Sequence, residues 1–69
     1  MDGTSPQMKA GMTLRRLIKE HYRSQEEFAD SYGTDVRTVS RYVNKGIDSL
    51  DTIQQLAMHF QISFYDFLM

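Results

Sequence analysis

No cysteine occurs in the 69 residues. That excludes disulfides, thiolate metal sites and thiol catalysis together, so packing alone must hold the fold. Long apolar runs are also missing, and no basic segment followed by a hydrophobic block opens the chain. Neither a membrane span nor a secretion signal is therefore expected, and the expected compartment is the cytoplasm. Internal repeats, low-complexity blocks and linkers are absent too. A chain this short buries only about 60% of the surface its unfolded form exposes, which favours helices joined by short loops.

Positive charge is missing from the C-terminal third. All 8 Lys and Arg lie in residues 1–45 with 6 acids, giving +2, whereas residues 46–69 hold 3 acids and no base, giving −3. The net charge of −1 and pI near 6.0 weigh against a nucleic-acid partner, because phosphate contacts need Lys and Arg. The distribution weighs the other way, since it makes the molecule electrically two-sided.

Residues 24–44 read as two short helices joined by a tight turn. Ser24 and Glu27 have capping-box spacing, in which Ser24 accepts the Glu27 amide and the Glu27 carboxylate reaches back to the Ser24 amide. Gly33 supplies the positive φ that ends a helix cheaply, and Asp35 is a good N-cap for the next one. A small Ala29 suits the crossing, with Phe28, Tyr32, Val39 and Tyr42 around it. On the second helix Arg37, Arg41 and Lys45 follow at i, i+4 and i+8, a basic stripe flanked by Val36, Ser40 and Asn44.

Around this pair, residues 1–11 lack apolar periodicity and read as a flexible arm, leaving 12–69 as one domain. A first helix is expected over 13–22, capped by Thr13, with Leu14, Leu17, Ile18 and His21 facing the core and Arg15, Arg16 and Lys19 outside. His21 reads as a boundary or core histidine. Gly46 ends the basic helix over 36–44. Ser49 caps a fourth helix over 50–60 whose buried stripe is Leu50, Ile53, Leu56, Ala57 and Phe60, and Asp51 suits its first turn. Ser63 and Asp66 have capping-box spacing for a fifth helix over 64–68, where Tyr65 and Met69 are left over as an apolar patch. The expected fold is all-α, a compact five-helix domain.

Residues 24–44, together with 49–57 and the ending Ile62-Ser63-Phe64-Tyr65-Asp66-Phe67-Leu68, resemble the lambdoid phage Cro and repressor family of helix-turn-helix domains. The likeness spans about residues 13 to 68 and rests on Gln-Glu-Glu-Phe-Ala followed by Gly33, and on the Leu-Ala, Ile-Ser and Asp-Phe-Leu pieces. The chain departs from the pattern at His21-Tyr22-Arg23, where a Gly and an apolar residue are usual, and at apolar Val43. The resemblance implies a λ-repressor-like fold, a phage or prophage origin and a regulator that works by occupying a double-stranded DNA operator. The family's long repressors carry a further self-associating domain, and this chain resembles instead the compact Cro-like members or an isolated N-terminal domain.

A recognition helix puts its N-terminal residues at base edges while flanking elements fix its register on the phosphates. By position, Val36 suits a thymine methyl, Arg37 and Arg41 suit bidentate contacts to guanine, and Ser40 suits several bases. Gln25 stands where the family places a glutamine on the phosphate backbone, and Thr38, Asn44 and Lys45 are the further expected phosphate contacts. One such helix sees few base pairs, so a homodimer on a near-palindromic site is expected, formed weakly through the ends of the fourth and fifth helices. The competing reading is a protein-binding module, an antirepressor or antitoxin-like subunit that keeps the fold, supported by the acidic pI. Catalysis has no pattern here, since His21 and His59 stand apart without metal-ligand spacing, and neither a Gly-rich phosphate loop nor a serine elbow occurs. No cofactor or metal is expected.

Overall fold

The computed structural model describes residues 5–68, which form five helices and no strand. They are α1 (Pro6–His21), α2 (Gln25–Tyr32), α3 (Val36–Lys45), α4 (Leu50–Phe60) and α5 (Phe64–Leu68). Ala10, Leu14, Leu17 and Ile18 of α1, Phe28 and Ala29 of α2, Val39 and Val43 of α3, and Ile53, Leu56 and Phe67 from the last two helices are buried together. The all-α, five-helix expectation is met.

The first helix starts earlier than expected. Thr13 is not its cap but a buried mid-helix residue. Ser5 is the N-cap, accepting the Met8 amide at 3.2 Å, and Pro6 opens the helix, where its fixed φ and missing N–H cost nothing. Residues 6–11 are thus helix rather than arm, and residues 1–4 of the expected arm lie outside the described residues. The extra turns pack against the end of α3. Ile47 donates its amide to the Gln7 carbonyl at 3.0 Å, and Gly11 lies so close to the Tyr42 carbonyl and to Gly46 that no Cβ fits there.

Two further expectations are corrected. Leu50, at the solvent side of α4, is 67% exposed, and the stripe begins at Ile53. His21 is exposed, its ring 6.0 Å from that of Phe60, because α1 ends there and its neighbour Tyr22 turns inward. Tyr22 places its hydroxyl 3.0 Å from His59 Nε2 and 3.2 Å from Ser31 Oγ. Around it, Phe28 stacks between Tyr32 and Phe60, each at 5.5 Å, with the edges of Tyr22 and His59 at 5.3 and 5.6 Å. Such pairs each add about 0.5–1.5 kcal/mol beyond burial. They tie α2 to α4 where α1 ends.

At the C-terminus Ser63 Oγ accepts the Asp66 amide at 2.9 Å. Phe67 is fully buried, Phe64 and Leu68 are partly so, and Tyr65 is 77% exposed. Met69 lies outside the described residues. No helix among the described residues is long and apolar enough to cross a membrane.

Candidate nucleic-acid interface

The placement of α3 starts with the turn before it. Gly33 adopts φ 91°, a left-handed conformation that costs glycine little. Its amide and that of Thr34 both donate to the Ala29 carbonyl at 2.9 Å, which closes α2. Two residues later Asp35 Oδ1 accepts the Thr38 amide at 2.7 Å and opens α3. That hydrogen bond, then the positive charges of Arg37 and Arg41, hold the Asp35 carboxyl below its ordinary range. At the far end the Gly46 amide donates to the Tyr42 carbonyl at 3.0 Å.

Between these caps α3 buries Val39 and Val43 and leaves the opposite face open. Arg37, Arg41, Asn44 and Lys45 are exposed, Ser40 is half-buried and Val36 is 41% exposed. Asn44 Nδ2 donates to Ser40 Oγ at 3.1 Å, so these two polar groups are oriented before any ligand arrives. Gln25, at the first position of α2, comes across to this face and joins the six α3 side chains around an open concavity of about 510 Å³. Seven of the eight expected contact residues therefore share one surface, and no acid lines it.

Thr38 stands apart. It is half-buried, its amide is taken by Asp35, and it does not line the concavity. Asp48 was not expected near the site, yet it lines a second concavity of about 320 Å³ with Arg41 and Lys45. Its place two residues beyond the helix-ending Gly46 was the available signal.

The N-terminus of α2 differs in detail from the expected capping box. Ser24 Oγ accepts the Glu27 amide at 3.1 Å as foreseen, but Glu27 Oε1 accepts the Arg23 amide at 3.3 Å rather than that of Ser24. Ser24 is extended, with φ −157°, and the carboxylate finds the preceding N–H.

Two helices joined by a Gly-containing turn, the second with its polar and basic face outward, form the helix-turn-helix arrangement. A model of the helix-turn-helix family matches residues 14–67. The chain belongs to that family. It is a DNA-binding domain of the kind that regulates transcription. No curated protein and no solved structure matches the chain. Within the helix-turn-helix domain α3 is the second helix of the pair, the position from which such motifs enter the major groove.

Proposed function

We propose that the protein is a sequence-specific transcriptional regulator of the Cro-like type, a phage or prophage repressor that binds a near-palindromic operator as a dimer and acts by occupancy. The observation that carries this reading is the α3 concavity, where Gln25, Val36, Arg37, Ser40, Arg41, Asn44 and Lys45 converge without an acid. Ten residues of α3 span about 15 Å at 1.5 Å per residue, enough to lie along a major groove about 12 Å wide. Val36, Arg37, Ser40 and Arg41 face the base edges, the two arginines on guanines. Gln25, Asn44 and Lys45 take the phosphates on either side. Thr38, outside the concavity, contributes at most from the edge.

The dimer contact is assigned to the α4 and α5 end. On α4 and α5 the side chains of Leu50, Met58 and Tyr65 are 67%, 70% and 77% exposed, and neither helix carries a Lys or Arg, which leaves apolar surface free for a second copy away from the phosphates. Two copies then present their α3 helices about 34 Å apart, one turn of the duplex.

Selection of random duplex DNA on the purified protein tests this, with Arg37→Ala and Arg41→Ala alongside wild type at two salt concentrations. Enrichment of a near-palindrome, with each substitution relaxing a symmetric pair of positions, is the expected result. Absence of any DNA binding, with a protein co-purifying instead, sinks it in favour of a protein-binding module, which the acidic pI of about 6.0 favours.

A further inference from the structure

One acid stands at the edge of the reading face. Arg41 and Lys45 line both the α3 concavity and the neighbouring one of about 320 Å³, whereas Asp48 lines only the second. Its backbone is fixed on either side. Ile47 is buried and donates its amide to the Gln7 carbonyl at 3.0 Å, and Ser49 opens α4 by accepting the Thr52 amide at 3.3 Å. The Asp48 carboxylate has no such anchor. It is exposed, and no hydrogen bond or ion pair among the described residues engages it, although two cations border the same concavity. Asp35 caps α3; Asp48 has no comparable structural task. Arg41 spans the two concavities, and its Cζ lies 5.9 Å from the ring centroid of Tyr42, which also lines the second one.

We infer that Asp48 is a specificity-determining residue that acts by exclusion: its carboxylate keeps DNA phosphate out of the second concavity and so leaves Arg41 to the base edges. The inference rests on the DNA-reading role proposed above. A guanidinium forms bidentate pairs with a phosphate as well as with guanine O6 and N7, and a contact to phosphate carries no sequence information. An arginine that reaches either ligand reads poorly unless one of them is denied to it. Without the carboxylate, the second concavity presents a phosphate with two cations and nothing opposed. With it, a phosphate there meets a like charge, and in a space of this size the screening length of about 8 Å is too long for salt to hide one from the other. Binding to a random duplex comes almost wholly from phosphates, whereas on the operator base contacts already hold Arg41. The exclusion therefore weakens random-sequence binding more than operator binding.

The test is a titration of wild type, Asp48→Asn and Asp48→Glu on the selected operator and on a random duplex of equal length, across a range of salt. Asp30→Asn is the control, because Asp30 is an exposed acid of α2 that lines neither concavity and its loss changes net charge equally. A circular-dichroism melt checks folding, and Asp48→Ser gives the same readout should asparagine disturb the start of α4. Asp48→Asn is expected to bind the random duplex roughly two- to fivefold more tightly, as loss of an exposed like charge allows. Its slope of log K against log salt is expected to steepen by roughly 1, one phosphate more. The operator gains less, so the ratio of operator to random affinity narrows, while Asp48→Glu and Asp30→Asn keep the wild-type ratio. Equal gains on the two duplexes, an equal effect of Asp30→Asn, or an unchanged slope overturns the exclusion and leaves the α3 reading standing. Loss of preference at one base pair with random binding unchanged also overturns it, since Asp48 then accepts from a base amino group. Failure of wild type to bind any duplex removes both readings at once.

Discussion

Single residues decide how closely α1 can approach α3. A Cβ on Gly11 meets the Tyr42 carbonyl oxygen and comes within 3.2 Å of Gly46 Cα. Replacing a helix-interior glycine by alanine ordinarily gains about 1 kcal/mol. Here the sign is expected to reverse, with Gly11→Ala costing about 1–3 kcal/mol through overpacking. A urea melt of a stabilised Gly11→Ala variant would show that the two helices do not meet as described. At the end of α4 the opposite exchange is favourable. Gln61 sits at φ 61°, a left-handed position that costs a non-glycine residue about 1 kcal/mol or more. Gln61→Gly is therefore expected to raise stability by about 0.5–1 kcal/mol, after the entropy of the added glycine is set against the relieved strain. Tyr22 joins α1, α2 and α4 through one hydroxyl, and Tyr22→Phe is expected to cost about 1 kcal/mol while keeping the ring contacts. Equal unfolding midpoints for that pair would mean the hydroxyl does as well in water.

At the scale of an element, α3 has a buried face and an exposed face, which are expected to respond to different perturbations. Its first turn depends on Asp35, whose carboxyl lies below its ordinary range in the folded protein because the Thr38 amide and then Arg37 and Arg41 favour the anion. A group with a depressed folded pKa contributes fully above its unfolded value, about 3.9 for Asp. The contribution is lost as pH falls through the lower folded value. Stability is thus expected to fall more steeply with acid in wild type than in Asp35→Asn, which keeps a capping side chain without the charge. Parallel pH profiles for the two proteins would remove Asp35 from the account. On the outer face, Arg37→Ala or Arg41→Ala is expected to cost about 1–3 kcal/mol on the preferred sequence and to relax one base position. Lys45→Ala is expected to weaken all sequences alike. Competition titrations against single-base operator variants separate the two behaviours, and a uniform loss for the arginines would reassign them to phosphates.

For the whole molecule the decisive property is the separation of charge along the chain, with all 8 Lys and Arg in residues 1–45 and none in residues 46–69. Leu50 and Tyr65 are expected to matter for association and not for folding, because neither is buried in the single chain. Sedimentation of Leu50→Ser, Tyr65→Ser on operator-length DNA is expected to show loss of the two-copy complex at protein concentrations where wild type forms it, with an unchanged melting profile. A strict monomer for wild type, both free and on the operator, would end the proposal of a dimer. Much of this arrangement was legible in advance. The stripe of Arg37, Arg41 and Lys45 follows from helical spacing alone, and Gly33, Asp35, Ser49 and Ser63 mark helix ends by local hydrogen bonding that needs no tertiary partner. The start of α1 was written as clearly in Ser5-Pro6, an N-cap followed by proline. The lack of apolar periodicity over residues 1–11 makes that stretch read as an arm, and Gly11 stands within the helix because the approach of α3 leaves no room for a Cβ there.

What the sequence determined by itself was the set of helices from α2 to α5, their caps and the shared basic stripe of α3, since each depends on neighbours within about one helical turn. What only the tertiary structure decided was non-local. The crossing of α2 and α3 brings Gln25 beside residues 11 to 20 places along the chain. The packing of α1 on α3 hides Gly11 and sets Arg15 and Lys19 beside Val43. Solvent reaches Leu50 because α4 turns that position away from the core. Periodicity tells which residues share a face of one helix; where that face points is set by the other helices packed against it.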